Sequence, residues 1–167
     1  MIRLAIAFLL ATGILPGNVV GAEDAQQATP IEFRVQRIGH VQNSGDRTLI
    51  VLEKKYEDGL LGLDQWSHAQ VIWWFDKNDT PQKRAILQVH PRGDQKNPLT
   101  GVFATRSPFR PNLIALSLCK IVSVNENVIE VEKIDAFEGT PVLDIKPYAP
   151  GQDSATEVRV PDWAGPK

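Results

Sequence analysis

The stretch Ile114 to Glu132 reads I-A-L-S-L-C-K-I-V-S-V-N-E-N-V-I-E-V-E. Ile114, Leu116 and Leu118 alternate with Ala115, Ser117 and Cys119, and a period of two marks a strand with two different faces. The strand runs on towards Val124. Asn125-Glu126-Asn127 is a turn cluster, and Val128 to Glu132 returns as the second arm of a hairpin. Outward from this hairpin the same signal recurs. Ile31 to Val35, Thr48 to Leu52 and Val142 to Ile145 read as short strands, and Ala85 to Val89 as another that pairs nearby. Ala69 to Phe75, A-Q-V-I-W-W-F, is apolar enough to be buried on both faces. Tyr56 to Trp66 holds a short helical turn, because Gly59 and Gly62 discourage a longer helix. Many short strands, frequent turn signals and no long amphipathic helix predict an all-β fold: a compact, single-domain β-barrel with short helical turns.

The bulk numbers frame this domain. Of 167 residues, 43% are hydrophobic and 23% charged, ordinary values for a folded soluble domain. Met1 to Ala22 has the form of a secretory leader: Arg3, an apolar run from Leu4 to Leu15, and Val20-Gly21-Ala22 before a cut. The run is shorter than the roughly 20 residues a bilayer span needs. The expected organisation is a signal peptide over 1–22, a flexible lead-in over 23–30, a barrel domain over 31–150 and a tail over 151–167, with Trp163 able to dock the tail locally. The expected location is then exported, periplasmic or secreted, with no membrane span after cleavage; a misassigned leader leaves the chain cytoplasmic. Arg3 is the one charged residue of the leader, so its removal takes 18 cations to 17 against 20 acids. That mild acidity gives no basic footprint for nucleic acid. Cys119 alone allows no internal disulfide, and His40, His68 and His90 lie too far apart for metal-ligand spacing, so no metal is expected. No glycine-rich phosphate loop follows a strand, which excludes a Rossmann-type methyltransferase.

Two segments concentrate chemistry. Between His90 and Asn112 lie Arg92, Lys96, Arg106 and Arg110 against a single acid, Asp94, in a run shaped by prolines and glycines. Guanidinium groups in a shaped loop suit carboxylates or phosphates, and a solvated charged loop is the plainer alternative. Thr105 and Ser107 beside Arg106 favour a polar pocket lining. Asp135 to Tyr148 packs Asp135, Glu138, Asp144, Lys146 and Tyr148 around a Gly139-Thr140-Pro141 turn. Its carboxylates suit a ribose or an ammonium group, or Asp144 simply pairs with Lys146. His68 reads as a hydrogen-bonded packing residue rather than a base. Trp73 and Trp74 face opposite sides of their strand, one towards the core and one left over for a pocket or an interface. Cys119 reads as a buried small hydrophobe.

Two strings carry a resemblance that covers roughly Arg37 to Pro150. Gly101 to Asn112 reads G-V-F-A-T-R-S-P-F-R-P-N, and Asp135 to Tyr148 reads D-A-F-E-G-T-P-V-L-D-I-K-P-Y. They resemble the signature of the TsaA-like family, the TrmO tRNA methyltransferases, which methylate a threonylcarbamoyl-adenosine next to the anticodon. The resemblance implies a small β-barrel that pairs into a homodimer, S-adenosylmethionine as cofactor and tRNA as partner. It implies cofactor contacts from Asp76, Lys77, Arg106, the backbone near Leu116, and Glu132, Lys133, Ile134 and Asp135. Asp144 and Tyr148 are the catalytic candidates. A non-catalytic exported binding module that keeps the barrel and dimer is the alternative. The chain departs from the family pattern in three places. No proline lies between Pro30 and Pro81, so a Pro-Arg-Gln loop of the family is missing or rebuilt. Asp76 stands where the family has His. Leu113 and Ala115 stand where the family has Pro and Gly, which changes backbone freedom beside the pocket.

Overall fold

The computed structural model describes residues 31–165. The leader and lead-in expected over 1–30 lie outside the described residues. The compact unit that carries the site runs from Arg34. Six of its eight strands close into an antiparallel barrel. Strand β1 (Gly39–Ser44) turns back into β2 (Arg47–Leu52), which pairs with β7 (Val128–Glu132). β7 pairs with β6 (Ile114–Asn125), β6 with β3 (His68–Trp74), and β3 with β8 (Pro141–Pro147), which returns to β1. β4 (Gln88–Val89) and β5 (Thr100–Gly101) form a separate two-stranded ladder.

The hairpin read from sequence stands as β6 and β7, with Glu126 and Asn127 at its turn. β6 is long enough to serve two neighbours. Its first part pairs with β3, and its second part pairs with β7 across an irregular register between Ile121 and Ser123. Such a bulge lets one strand bend around a barrel corner. The β1–β2 turn needs positive φ at its first central residue, and Gly45 supplies φ 57°. Inward residues of alternating strands make the core: Val41, Ile50, Val71, Trp73, Cys119, Ile129, Val131 and Val142 are all buried.

Three expectations change, and one strand is added. Ile31 to Val35 forms no strand; a closed barrel leaves no edge for an extra alternating segment to join. Ala85 to Val89 shrinks to Gln88–Val89, because the end of α1 (Pro81–Arg84) takes up the Ala85 and Ile86 N–H groups. Thr80 caps that helix, its Oγ1 accepting from the Lys83 N–H at 3.3 Å, and the Ile86 N–H still bonds back to the Lys83 carbonyl. β1 is an added strand that carries no period-two signal, since Val41 is its single large aliphatic residue. β3 is not buried on both faces: Ala69, Val71 and Trp73 are buried, while Gln70, Ile72 and Trp74 are half-exposed. After β8 the chain makes one short helix, α2 (Pro150–Asp153), and a last turn at Asp162–Ala164.

Candidate functional site

Antiparallel pairing sets Trp74 beside Ile114 and Trp73 beside Val142, so the end of β3 and the starts of β6 and β8 share one end of the barrel. A cavity of about 560 Å³ opens there. The exit of β3 lines it with Trp73, Phe75, Asp76, Lys77 and Asn78. The loop before β6 supplies Thr105, Arg106, Pro108 and Arg110, and β6 itself supplies Ile114 to Ser117. The link from β7 to β8 adds Asp135, Phe137 and Thr140.

The loop T-R-S-P-F-R holds its own shape. Arg110 Nη1 donates to the carbonyls of Val102, Thr105 and Ser107 at 3.2, 3.0 and 3.2 Å. Thr105 Oγ1 donates to the Val102 carbonyl and accepts from the Ser107 N–H, and Ser107 Oγ accepts from the Phe109 N–H. These short-range bonds compete with extended structure and fold the segment into linked turns. Arg106 is anchored differently, by one bond from Nη2 to the Leu116 carbonyl, and its side chain stays exposed in the cavity wall. Leu113, where the family has Pro, is fully buried at φ 47° and its carbonyl accepts from the Phe75 N–H at 2.9 Å. A proline, with φ fixed near −65°, cannot take that conformation.

The wall carries both signs of charge. Asp76 and Asp135 face it with Lys77, Arg106 and Arg110, and Lys77 Nζ lies 3.1 Å from Asp76 Oδ2. Thr140 Oγ1 is buried and has no hydrogen-bond partner among the described residues. Trp73 closes the floor, donating from Nε1 to Ser117 Oγ at 3.0 Å and meeting Phe75 edge-on at 4.8 Å.

Of the cofactor contacts implied by the resemblance, Asp76, Lys77, Arg106, Leu116 and Asp135 line this cavity, as do Trp73, Thr105 and Arg110, which are read from the residues alone. Glu132, Lys133 and Ile134 do not. Ile134 is buried, with its N–H on Thr48 Oγ1 at 3.3 Å, and Glu132 lies 3.6 Å from Lys120 Nζ. Asp144 and Tyr148 also lie outside the lining. Asp144 pairs with Lys146 at 2.8 Å, which raises the lysine above its ordinary value, and caps the Ile145 N–H. Tyr148 meets His68 edge-on, and His68 Nδ1 lies 2.9 Å from Ser67 Oγ. Phe75, Asn78, Ser117, Phe137 and Thr140 were not singled out from sequence; only their place at one end of the barrel unites them.

Two groups nearby are structural. Asp79 accepts from Arg84 Nε at 2.8 Å and from Trp74 Nε1 at 3.1 Å, and these two bonds hold its carboxyl below the usual range. Burial pushes the Cys119 thiol up to about 12. No cluster of three metal-ligating side chains and no helix long and apolar enough to cross a membrane occurs among the described residues.

Residues 27–154 match the model of the tRNA-methyltransferase O (TrmO) N-terminal domain. The chain belongs to the TrmO N-terminal domain family. A protein of Methanocaldococcus jannaschii named "Probable S-adenosyl-L-methionine-binding protein" is 44% identical over 117 residues, 70% of this chain and 93% of the relative. The human tRNA (adenine(37)-N6)-methyltransferase is 44% identical over 105 residues, 63% of this chain but only 23% of that protein. The crystal structure of a Pseudomonas aeruginosa TrmO superposes with a TM-score of 0.65 at 26% identity, covering 84% of this chain and 65% of the TrmO chain. The TrmO likeness thus spans the barrel and its cavity but not the full length of the larger relatives.

Proposed function

We propose that the chain binds S-adenosylmethionine in the cavity beside Arg106 and Asp135 and serves methyl transfer to a nitrogen of a tRNA adenosine, as the name of its human relative describes. The observation that carries this reading is the mixed charge of the lining around aromatic walls. S-adenosylmethionine carries a carboxylate, an ammonium, a sulfonium and a flat base, so its pocket needs both signs and an apolar face. The volume of about 560 Å³ falls within the range of small-ligand sites. The residues fit. Arg106 takes the carboxylate, Asp135 and Asp76 face the cationic groups, Phe137 and Phe75 offer the apolar face, and the unpartnered Thr140 hydroxyl gains a bond. Glu132, Lys133 and Ile134 contribute through the backbone that carries Asp135, and Leu116 through the carbonyl that orients Arg106. When bound, the cofactor supplies an electrophilic methyl group. The chain supplies position and charge complementarity. Asp76 and Asp135, inside the lining, rank ahead of Asp144 and Tyr148 as acceptors of the proton that leaves the methylated nitrogen. Isothermal titration of the chain with S-adenosylmethionine should give one site per chain. No heat at millimolar cofactor with the barrel folded would sink the reading.

We further propose that two copies pair through the outer face of β6. Ile114, Leu116 and Leu118 are 46%, 41% and 55% exposed, the first two reaching the rim of the cavity, and half-exposed Ile72 and Trp74 flank them on β3. A contiguous outward aliphatic stripe of this kind marks an interaction surface. The leader assigned to 1–22, and with it export, stays a proposal resting on Arg3 and the apolar run; N-terminal sequencing of the cell-derived protein tests it.

A further inference from the structure

A second cavity of about 750 Å³ adjoins the first and shares Thr105, Arg106 and Pro108 with it. Its chemistry differs. Phe103, Phe109 and Trp163 are aromatic, His90, Arg92 and Arg106 are basic, and no carboxylate lines it among the described residues. Trp163 comes from the tail, beyond the residues that match the family. From Gly151 to Asp162 every residue is exposed; the chain then turns inward, leaving Trp163, Ala164 and Gly165 half-buried. Arg92 Nη2 reaches the Gly165 carbonyl at 3.5 Å. The His90 ring is set by Nδ1, 2.7 Å from the Asn97 carbonyl; a carbonyl only accepts, so Nδ1 carries the proton. Phe103 is 77% exposed on this wall although a phenyl ring gains nothing from water.

We propose that this second cavity binds a nucleoside monophosphate unit, its base against Trp163 and the phenylalanines and its phosphate against Arg92. Aromatic faces stack any base, and cations track the phosphate. Among the described residues this wall holds cations and no carboxylate, which suits a phosphate, whereas the mixed charge of the first cavity suits a zwitterion. The shared wall of Thr105, Arg106 and Pro108 sets the two ligands side by side. The net acidity of the chain is no obstacle, because the cations that matter are local. The choice of a nucleotide over other aromatic anions rests on the function proposed above. The nucleotide comes either free or as part of a nucleic acid.

The test titrates the full chain with adenosine 5′-monophosphate and, separately, with a short RNA stem-loop, each with and without S-adenosylmethionine. Trp163→Ala and Arg92→Gln are measured in parallel; both positions lie outside the barrel strands. The expected result is nucleotide binding that persists with S-adenosylmethionine present and weakens about ten- to hundredfold in Trp163→Ala, the range of one lost stacking contact. Arg92→Gln should weaken it too, and neither variant should change S-adenosylmethionine affinity. If the monophosphate shows this sensitivity the site takes a free nucleotide; if only the stem-loop does, the source is nucleic acid. Affinity for both probes unchanged in both variants, one-for-one displacement by S-adenosylmethionine, or no binding of either probe overturns the proposal. A chain that binds nucleotide in this way but never binds S-adenosylmethionine removes the first-cavity reading and leaves this one standing.

Discussion

Arg106 and Arg110 are the same residue type in one short loop, and they do different work. Arg110 is committed to three carbonyls and builds the loop; Arg106 makes one such bond and keeps an exposed face on the cavity. Arg106→Ala should therefore leave the fold intact and weaken S-adenosylmethionine binding by about 1–3 kcal/mol, the value of a hydrogen bond to a charged group. Asp135→Asn should act comparably, and calorimetric titration of both variants checks the pair. Equal affinity in all three proteins would remove Arg106 and Asp135 from the site. Leu113 makes the opposite kind of prediction, about stability alone. Truncating this fully buried side chain to Ala should cost about 2–5 kcal/mol. Leu113→Pro should cost more, since it adds a backbone angle the ring forbids. Urea unfolding midpoints rank the two variants, and a more stable Leu113→Pro protein would show that this backbone angle is not required.

At the scale of elements, β1 closes the barrel with a glycine. Gly39 pairs with Leu52 on one side and Val142 on the other. A Cβ at position 39 would run into the Val51 carbonyl and come within 2.8 Å of Leu52 Cα. Those are backbone atoms of a paired strand, so neither can swing aside. Gly39→Ala should then lower stability by about 1–3 kcal/mol, the cost of overpacking, although Ala is ordinarily the better strand residue. Thermal unfolding of the variant checks this; an unchanged midpoint would mean that β1 and β2 separate easily. The same element explains a gap in the sequence reading. G-H-V-Q-N-S carries one large aliphatic residue, so period-two patterning has nothing to register, whereas I-E-F-R-V alternates cleanly and forms no strand. Alternation reports a tendency to sit on a sheet. It does not report whether a neighbouring strand is there to receive it.

At the scale of the whole molecule, the first half of β6, from Ile114 to Cys119, turns its larger side chains outward and keeps Ala115 and Cys119 for the core. If that stripe is a dimer face, Leu118→Glu should give monomers by light scattering at concentrations where the unmutated chain is dimeric, with β-rich circular dichroism unchanged. A monomeric unmutated chain would discard the proposed interface. The sequence alone determined the all-β barrel, the β6–β7 hairpin, the TrmO-family membership and the two segments that supply much of the cavity wall. These rest on local patterning and on motif strings, which are properties of neighbouring residues. The tertiary structure decided which face of β6 meets the core and which of two arginines lines the cavity as an exposed donor. It also decided that Thr140 joins Asp76, Arg106 and Asp135 in one cavity while Glu132, Lys133 and Ile134 stay outside its lining, and that Trp163 turns back to wall a second. Each of these depends on how strands far apart in sequence pair when the barrel closes, and that closure is a packing solution of the whole chain which no single segment encodes.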